Sequence, residues 1–309
     1  LNQNIEEIKA SIIIPTYDRP NTLKKVIDSY INQTGIGELI IIDDNSIKSY
    51  SEINRYIKKK LYNKKINYIY HKNNKNMGAA YCRNKGVELA NYGYILWGED
   101  DAFLSNEYLK VLIEKVKNEL TLKNKRSIYF GSIYYGITPF STSQEKNQII
   151  KNQQNTNKPI FDYDLFEGYY RKNIKSDLDV PFGHSLLLAP KEAYSGIGYF
   201  ENYKVNGYRE ESDAQVLMVK NGYRIIYTSD TQCYHLPGSE IENGGQHKSS
   251  KIKQELYKII NTAIFYDRHY SFLKRNYHLK KSKFVLKIIF SKKIISFVIK
   301  KIYKKIKRK

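Results

Sequence analysis

Three carboxylates, Glu99, Asp100 and Asp101, stand side by side directly behind the apolar run YILW. Like charges held together repel unless a cation or protons neutralise them. Adjacent acids at a strand end can place one carboxylate on a divalent cation and another towards a ribose or a water. Mg2+ and Mn2+ favour such oxygen donors together with substrate phosphates. The plainer reading is a cap on the helix that follows. A second cluster, Glu210-Glu211-Ser212-Asp213, opens a helical stretch. The macrodipole favours acids there in any case, but a carboxylate facing a reacting centre can also act as a general base. His235, in DTQCYHL, follows an expected strand. Alone it reads as a surface residue; beside a metal its imidazole would complete a mixed N/O site.

The chain around these residues alternates between two periods. ASIIIP (10–15), ELIIID (38–43), INYIYH (66–71) and YGYILW (92–97) read as strands. Between them, residues 21–33 carry apolar positions at helical spacing with Asn21 as the expected cap, and helices are expected near 50–60 and over 78–91. Strand and helix in strict succession imply right-handed crossovers and an α/β, mostly parallel sheet with helices on both faces. Ligands of such sheets bind outside the carboxyl ends of the strands. PTYDRP, DDNS, HKNNKNMG and GEDD each follow a strand and so converge on that rim. Further on, a helix is expected near 106–120, SIYFGSIYYG as a strand pair or one strand, and 141–160 as a polar loop. DVPFGHSLLLAPKEAY reads as strand into helix, and a helix ending at Gly222 leads into the strand YRIIYT.

Bulk properties narrow the class. A chain of 309 residues with 41% hydrophobic and 27% charged residues can bury a full core. The two cysteines, Cys82 and Cys233, lack metal-ligand spacing and argue against a disulfide framework or a zinc site. No apolar stretch approaches the roughly 18–20 residues that span a bilayer, and LNQNIEEIKA lacks the order of a signal peptide. The net charge of +21 is uneven: residues 273–309 hold fifteen Lys/Arg and no Asp/Glu, leaving +6 for the rest.

The succession SIIIPTYDRPNTL, IIIDDNS, NMGAAYCRNKGVELA, YILWGEDD and REESDAQVLMVKNGYRI…YH resembles a family 2-type glycosyltransferase of the GT-A fold, over about residues 10–236. The resemblance implies a nucleotide-sugar donor, Mn2+ or Mg2+, and inversion at the anomeric carbon by direct displacement. It places Pro15, Thr16, Tyr17, Asp18 and Asp44 around the base and ribose, and Arg83 near the nucleotide. EDD corresponds to the family's DXD element, with Asp100 towards the ribose and Asp101 on the metal. Glu211 falls at the catalytic base, where the family more often has Asp, with Glu210 and Asp213 as alternatives; His235 matches a histidine able to ligate the metal. His184, in FGHSLLLAPKEAY, reads as a packing residue beneath the acceptor site. The implied division is 1–105 for the nucleotide sugar, 106–244 for acceptor and catalysis, and 245–309 as a basic helical extension.

In that extension Phe284, Ile288, Ile295, Ile299, Ile302 and Ile306 recur at helical spacing, with Val298 beside them and lysines around. Such a helix suits an anionic membrane surface; a helix packed on protein is the alternative. The expected setting is cytoplasmic, peripheral on the inner face of the cell membrane, with a glycan or lipid-linked acceptor. The charge and the 29 tyrosines also raise nucleic-acid binding, but no zinc-finger spacing or aromatic RNA-binding signature accompanies them. A non-catalytic binder of nucleotide sugars or glycans is the remaining alternative. A nucleotidyltransferase would need a glycine-rich phosphate loop where PTYDRPNT has no glycine.

Overall fold

The computed structural model describes residues 8–122, 126–203, 207–244 and 250–306, and not the side chains of 251 and 300–306. Residues 1–7 and the side chains of Ile302 and Ile306, which entered the sequence reading, lie outside what is described. β1 (Ala10–Thr16), β2 (Ile36–Asp43) and β4 (Tyr94–Trp97) are rich in isoleucine or aromatic residues and buried almost throughout, as strands covered on both faces must be. α1 (Pro20–Ile31), α2 (Ser51–Leu61), β3 (Asn67–Lys72) and α3 (Ala79–Leu89) complete this half. β1 lies parallel to β2 and β4, and β2 parallel to β3.

The second half continues with β5 (Ala102–Leu104), α4 (Tyr108–Thr121), β6 (Ser127–Tyr135) and α5 (Ser143–Gln154). A short pair, β7 (Phe161–Asp162) and β8 (Glu167–Gly168), precedes β9 (Leu178–Val180) and β10 (Leu187–Pro190). Then come α6 (Glu210–Lys220) and β11 (Arg224–His235). Among the described residues one nine-stranded sheet runs β3-β2-β1-β4-β10-β6-β11-β5, with β9 against β11. β10 is antiparallel to β4 and β6, so it joins the parallel first half to the parallel β6–β11 pair. The expected division at residue 105 therefore falls within one continuous sheet.

Local departures from the sequence reading have physical causes. α1 starts at Pro20, not at an Asn21 cap, because proline suits the first helical position; the carboxylate of Glu242 accepts the freed N–H groups of Asn21 (2.7 Å) and Thr22 (3.0 Å). The expected polar loop over 141–160 contains α5, which buries no residue and so leaves no apolar stripe to read. Its start is set by a capping box between Thr142 and Glu145. SIYFGSIYYG forms one strand, and the helix expected after LLLAP is a single 3-10 turn, Lys191–Tyr194.

Beyond β11, α7 (Lys251–Tyr277) and α8 (Lys283–Ile306) form an antiparallel hairpin, tied by Asp267 to Lys283 and Lys287, each at 2.8 Å. α7 buries Thr262, Phe265, Tyr266, His269 and Leu273; α8 buries Leu286, Phe290 and Ile294. The stripe expected to be the functional face, Phe284, Ile288, Ile295 and Ile299, remains exposed.

Candidate active site

The acidic triplet leaves β4 through Gly98. A Cβ there would lie 2.7 Å from Ile14 Cγ1 and 2.9 Å from the Tyr30 ring, so only glycine lets the turn pack this closely. The buried Tyr30 hydroxyl donates to Ala102 O (2.9 Å) and accepts from Glu99 N–H (3.0 Å), pegging the turn from within. Leu236 N–H, at the end of β11, donates to Asp101 O at 3.0 Å. A strand end from each half thus holds one acidic turn.

Within the turn the three acids divide between two sets of partners. Glu99 and Asp101 face His235, with candidate ligand atoms all within 4.8 Å of one another. His235 Nε2 is 3.0 Å from Glu99 Oε2, and Nδ1 is 3.6 Å from Asp101 Oδ1. Its ring stacks flat on Tyr135, centroids 5.0 Å apart and planes 3° apart. Burial opposes the imidazolium, but Glu99, Asp101 and Glu211 outweigh it and carry His235 up to about 9. Burial likewise pushes Glu99 up, and His235 outweighs it to hold the carboxyl down at about 2. Asp100 turns the other way: it accepts from Thr16 Oγ1 (2.8 Å) and from Arg19 Nη1 (2.9 Å). Burial is the main reason its carboxyl rises to about 6, with Arg19 opposing and Asp101 adding.

Arg83, on α3, forks onto Oε1 of both Glu210 and Glu211 at the start of α6. Its guanidinium lies 5.7 Å from the Trp97 ring and 5.6 Å from that of Tyr199. Arg83 thus holds the glutamate pair at the start of α6. The side chain of Glu210 is 8% exposed and that of Glu211 32%, so of the two only Glu211 offers solvent access. Burial raises both carboxyls, Glu210 to about 7, with Arg83 opposing. Glu99 and His235 act on the charge of Glu211, which joins the two acidic clusters into one site.

Asp213 does not join them. Fully buried, it accepts from His269 Nε2 (2.6 Å), Arg268 Nε (2.7 Å) and the Tyr203 hydroxyl (2.9 Å), fastening α6 to α7. It is turned to α7, so the structure does not bring this alternative base together with Glu210 and Glu211. His184 is likewise internal: its Nε2 bonds Gly131 O at 2.9 Å and its Nδ1 accepts from Leu186 N–H at 3.1 Å.

The expected nucleoside residues occupy the ends of β1 and β2. Asp18, at φ 56°, accepts from Ile47 N (2.6 Å) and Lys48 N (3.2 Å). Asp44 accepts from Asn73 Nδ2 (2.9 Å), Met77 N (2.8 Å) and Gly78 N (2.8 Å), fixing the turn into α3. Pro15 and Tyr17 are half-buried beside Thr16. The sequence reading missed several members. Ser185 donates to Glu99, and Arg19 also reaches Asp101 (3.2 Å) and Gly244 O (3.0 Å). Glu242 binds Lys48 Nζ at 2.8 Å as well as α1. The Glu99–Asp101 spacing of two was the one available signal for Glu99; the partners of Arg19 and Glu242 are remote in sequence.

Five carboxylates, Glu99, Asp100, Asp101, Glu210 and Glu211, face Arg19, Arg83 and His235. With all five ionised and His235 neutral, as a metal ligand must be, three negative charges remain, and a divalent cation would offset two of them. The buried Glu99 Oε2 makes no hydrogen bond of good geometry despite its nearness to His235. An orphaned carboxylate oxygen among O and N donors fits a metal ligand.

The fold is that of the GT-A glycosyltransferases. The crystal structure of GalNAc-T7 with UDP, GalNAc and Mn2+ superposes with a TM-score of 0.60 at 16% identity, over 85% of this chain and 48% of that one. Staphylococcus aureus TarS superposes with a TM-score of 0.54, also at 16% identity, over 89% and 46%. Residues 11–175 match Glycosyl transferase family 2, and the chain belongs to that family. An uncharacterized glycosyltransferase of Rickettsia bellii is 38% identical over 107 residues, which are 34% of this chain and 15% of the relative. The matches to three such curated relatives span 15%, 18% and 56% of their lengths.

Proposed function

We propose that the protein is a metal-dependent inverting glycosyltransferase that moves a sugar from a nucleotide donor to an acceptor hydroxyl. The observation that carries the reading is the meeting of Glu99, Asp101 and His235 with the Arg83-held glutamate pair at one sheet edge. GalNAc-T7, of the same fold, was crystallised with UDP and Mn2+. Glu99, Asp101 and His235 would hold Mn2+ or Mg2+, which neutralises a diphosphate leaving group. Thr16, Tyr17, Asp18 and Asp44, with Pro15, would line the nucleoside pocket, and Asp100 would meet the ribose once Arg19 yields. Residues 1–105 would thus serve the donor, and 106–244 the acceptor and catalysis.

Glu211 would take the proton of the acceptor hydroxyl while that oxygen bonds to the anomeric carbon. The bond from that carbon to the diphosphate breaks with its electron pair on phosphate, and configuration inverts. Burial makes Glu211 a better proton acceptor than an exposed carboxylate, and Arg83 orients it. A glycan or lipid-linked acceptor at the inner face of the cell membrane completes the reading.

Calorimetry with UDP, GDP, dTDP and CMP, each with Mn2+ or EDTA, tests it. One nucleotide should bind, only with metal, and Asp101→Asn should weaken it by roughly a hundredfold while leaving the fold unchanged. No binding by the folded protein, or metal-dependent binding retained in the variant, overturns the site.

A further inference from the structure

We infer that the outward face of α8, joined by the N-terminal end of α7, is a docking surface for an anionic lipid bilayer. α8 is apolar on two opposite sides. Leu286, Phe290 and Ile294, at steps of four, are buried, with the Phe290 ring 6.1 Å from Tyr208 and 5.5 Å from the Arg209 guanidinium. With about 100° of turn per residue, Phe284, Ile288, Ile295 and Ile299 fall on the far side. Their exposures are 72%, 36%, 48% and 60%. A helix that only packed on its own domain would carry polar residues there.

α7 shows the same pattern: Ile252, Leu256 and Ile260 are about half exposed, opposite the buried Phe265 and His269. The Asp267 ion pairs to Lys283 and Lys287 set the antiparallel register. That register brings the first half of α7 beside the second half of α8, so the α7 stripe lies at the same end of the hairpin as Ile295 and Ile299.

Charge selects the occupant. Residues 273–309 carry fifteen Lys/Arg and no acid. A second copy on this face would bring two such surfaces together with no acid in the tail to offset the repulsion. Anionic head groups supply the opposite charge, and lysine stems can lie along the apolar stripe with their ammonium groups in the head-group layer. Among the described residues no helix is long and apolar enough to cross a membrane, which fits a helix lying in the interface. The inner face stays engaged meanwhile, through Asp213 with Arg268 and His269 and through Lys293 with Glu167. Docking therefore requires no unpacking, and α6 is carried with the hairpin. The surface deepens the reading of a membrane-borne acceptor and rests on that reading only for what it would serve.

The test is co-sedimentation of the full chain with vesicles of phosphatidylcholine alone or with about 30% phosphatidylglycerol, at about 0.1 M salt. The chain should sediment with the anionic vesicles only. Ile295→Glu with Ile299→Glu should lower the bound fraction about tenfold or more, with melting temperature and metal-dependent nucleotide binding unchanged. Phe284→Glu, at the other end of the stripe, repeats the test should the double variant melt early. Nucleotide binding without selective sedimentation, or sedimentation indifferent to both variants, overturns the surface and leaves the transferase reading standing. Selective sedimentation without nucleotide binding does the reverse. A dimer that the double variant makes monomeric, with no vesicle binding, gives the face to a second copy and overturns the proposal.

Discussion

Replacing Arg83 by methionine keeps most of the side-chain volume and removes the cation that two carboxylates share. Arg83 is 6% exposed, Glu210 8% and Glu211 32%, so little water is at hand to take over its role. Removing one partner of a buried ion pair costs about 3–5 kcal/mol. Glu210, already raised to about 7, can relieve part of this by taking a proton, which favours the lower end, about 3 kcal/mol. At roughly 2–4 °C per kcal/mol the melting point should fall by about 6–12 °C near pH 8. The sign with pH follows from linkage. Carboxyls whose folded pKa rises above the unfolded value are tolerated at low pH and destabilise as pH rises through the folded value. The gap to wild type should therefore narrow as pH is lowered from about 8 to about 5. Thermal melts by near-UV circular dichroism, with Arg83→Met/Glu210→Gln completing a double-mutant cycle, measure the coupling. The double variant should recover about half of the loss, since one uncompensated acid is gone. A single variant melting within a degree or so of wild type at the higher pH would falsify the claim that this guanidinium neutralises the glutamate pair.

Two further perturbations test the supports of the site. Asp213→Asn should cost about 3 kcal/mol, because Arg268 and His269 lose a buried carboxylate. Burial pushes Asp213 up, but the bonds from His269 and Arg268 hold it low. Its contribution is thus present above the unfolded value near about 3.9 and is lost as pH falls through the lower folded value. Wild-type and variant melting curves should converge on acidification, and parallel curves would count against the linkage. Gly98→Ala should cost about 1–3 kcal/mol by overpacking against Ile14 and Tyr30. It should also weaken metal binding in calorimetry, since the turn carrying Glu99 and Asp101 must shift; unchanged binding would show that the turn tolerates the extra methyl.

The strands and helices of the first half were legible because their periods are clean and a buried parallel strand is apolar on both faces. SIIIP, LIIID and YILW announce themselves, and the polar clusters behind them mark the rim. α5 was not legible, since ten of its twelve residues are polar, none is buried, and its capping box is the only local signal. The cap of α1 was misplaced for the opposite reason: proline fixes the start locally, but the acceptor of its free N–H groups, Glu242, comes from beyond β11. The helical spacing of the tail was visible, yet spacing alone could not say which of two apolar sides would be buried.

The sequence by itself determined the order of elements in the first half, the acidic residues at strand and helix ends, a family resemblance of which residues 11–175 match the family, and the concentration of positive charge in the tail. Each of these is a property of neighbours along the chain. Tertiary structure decided the pairings between residues far apart. Arg83 went to Glu210 and Glu211, Asp100 to Arg19, Asp213 to α7, and Glu99 with Asp101 to His235. Composition cannot choose among such partners. A buried charge takes whichever opposite group the packed backbone brings within reach, and that is known only once the sheet has closed.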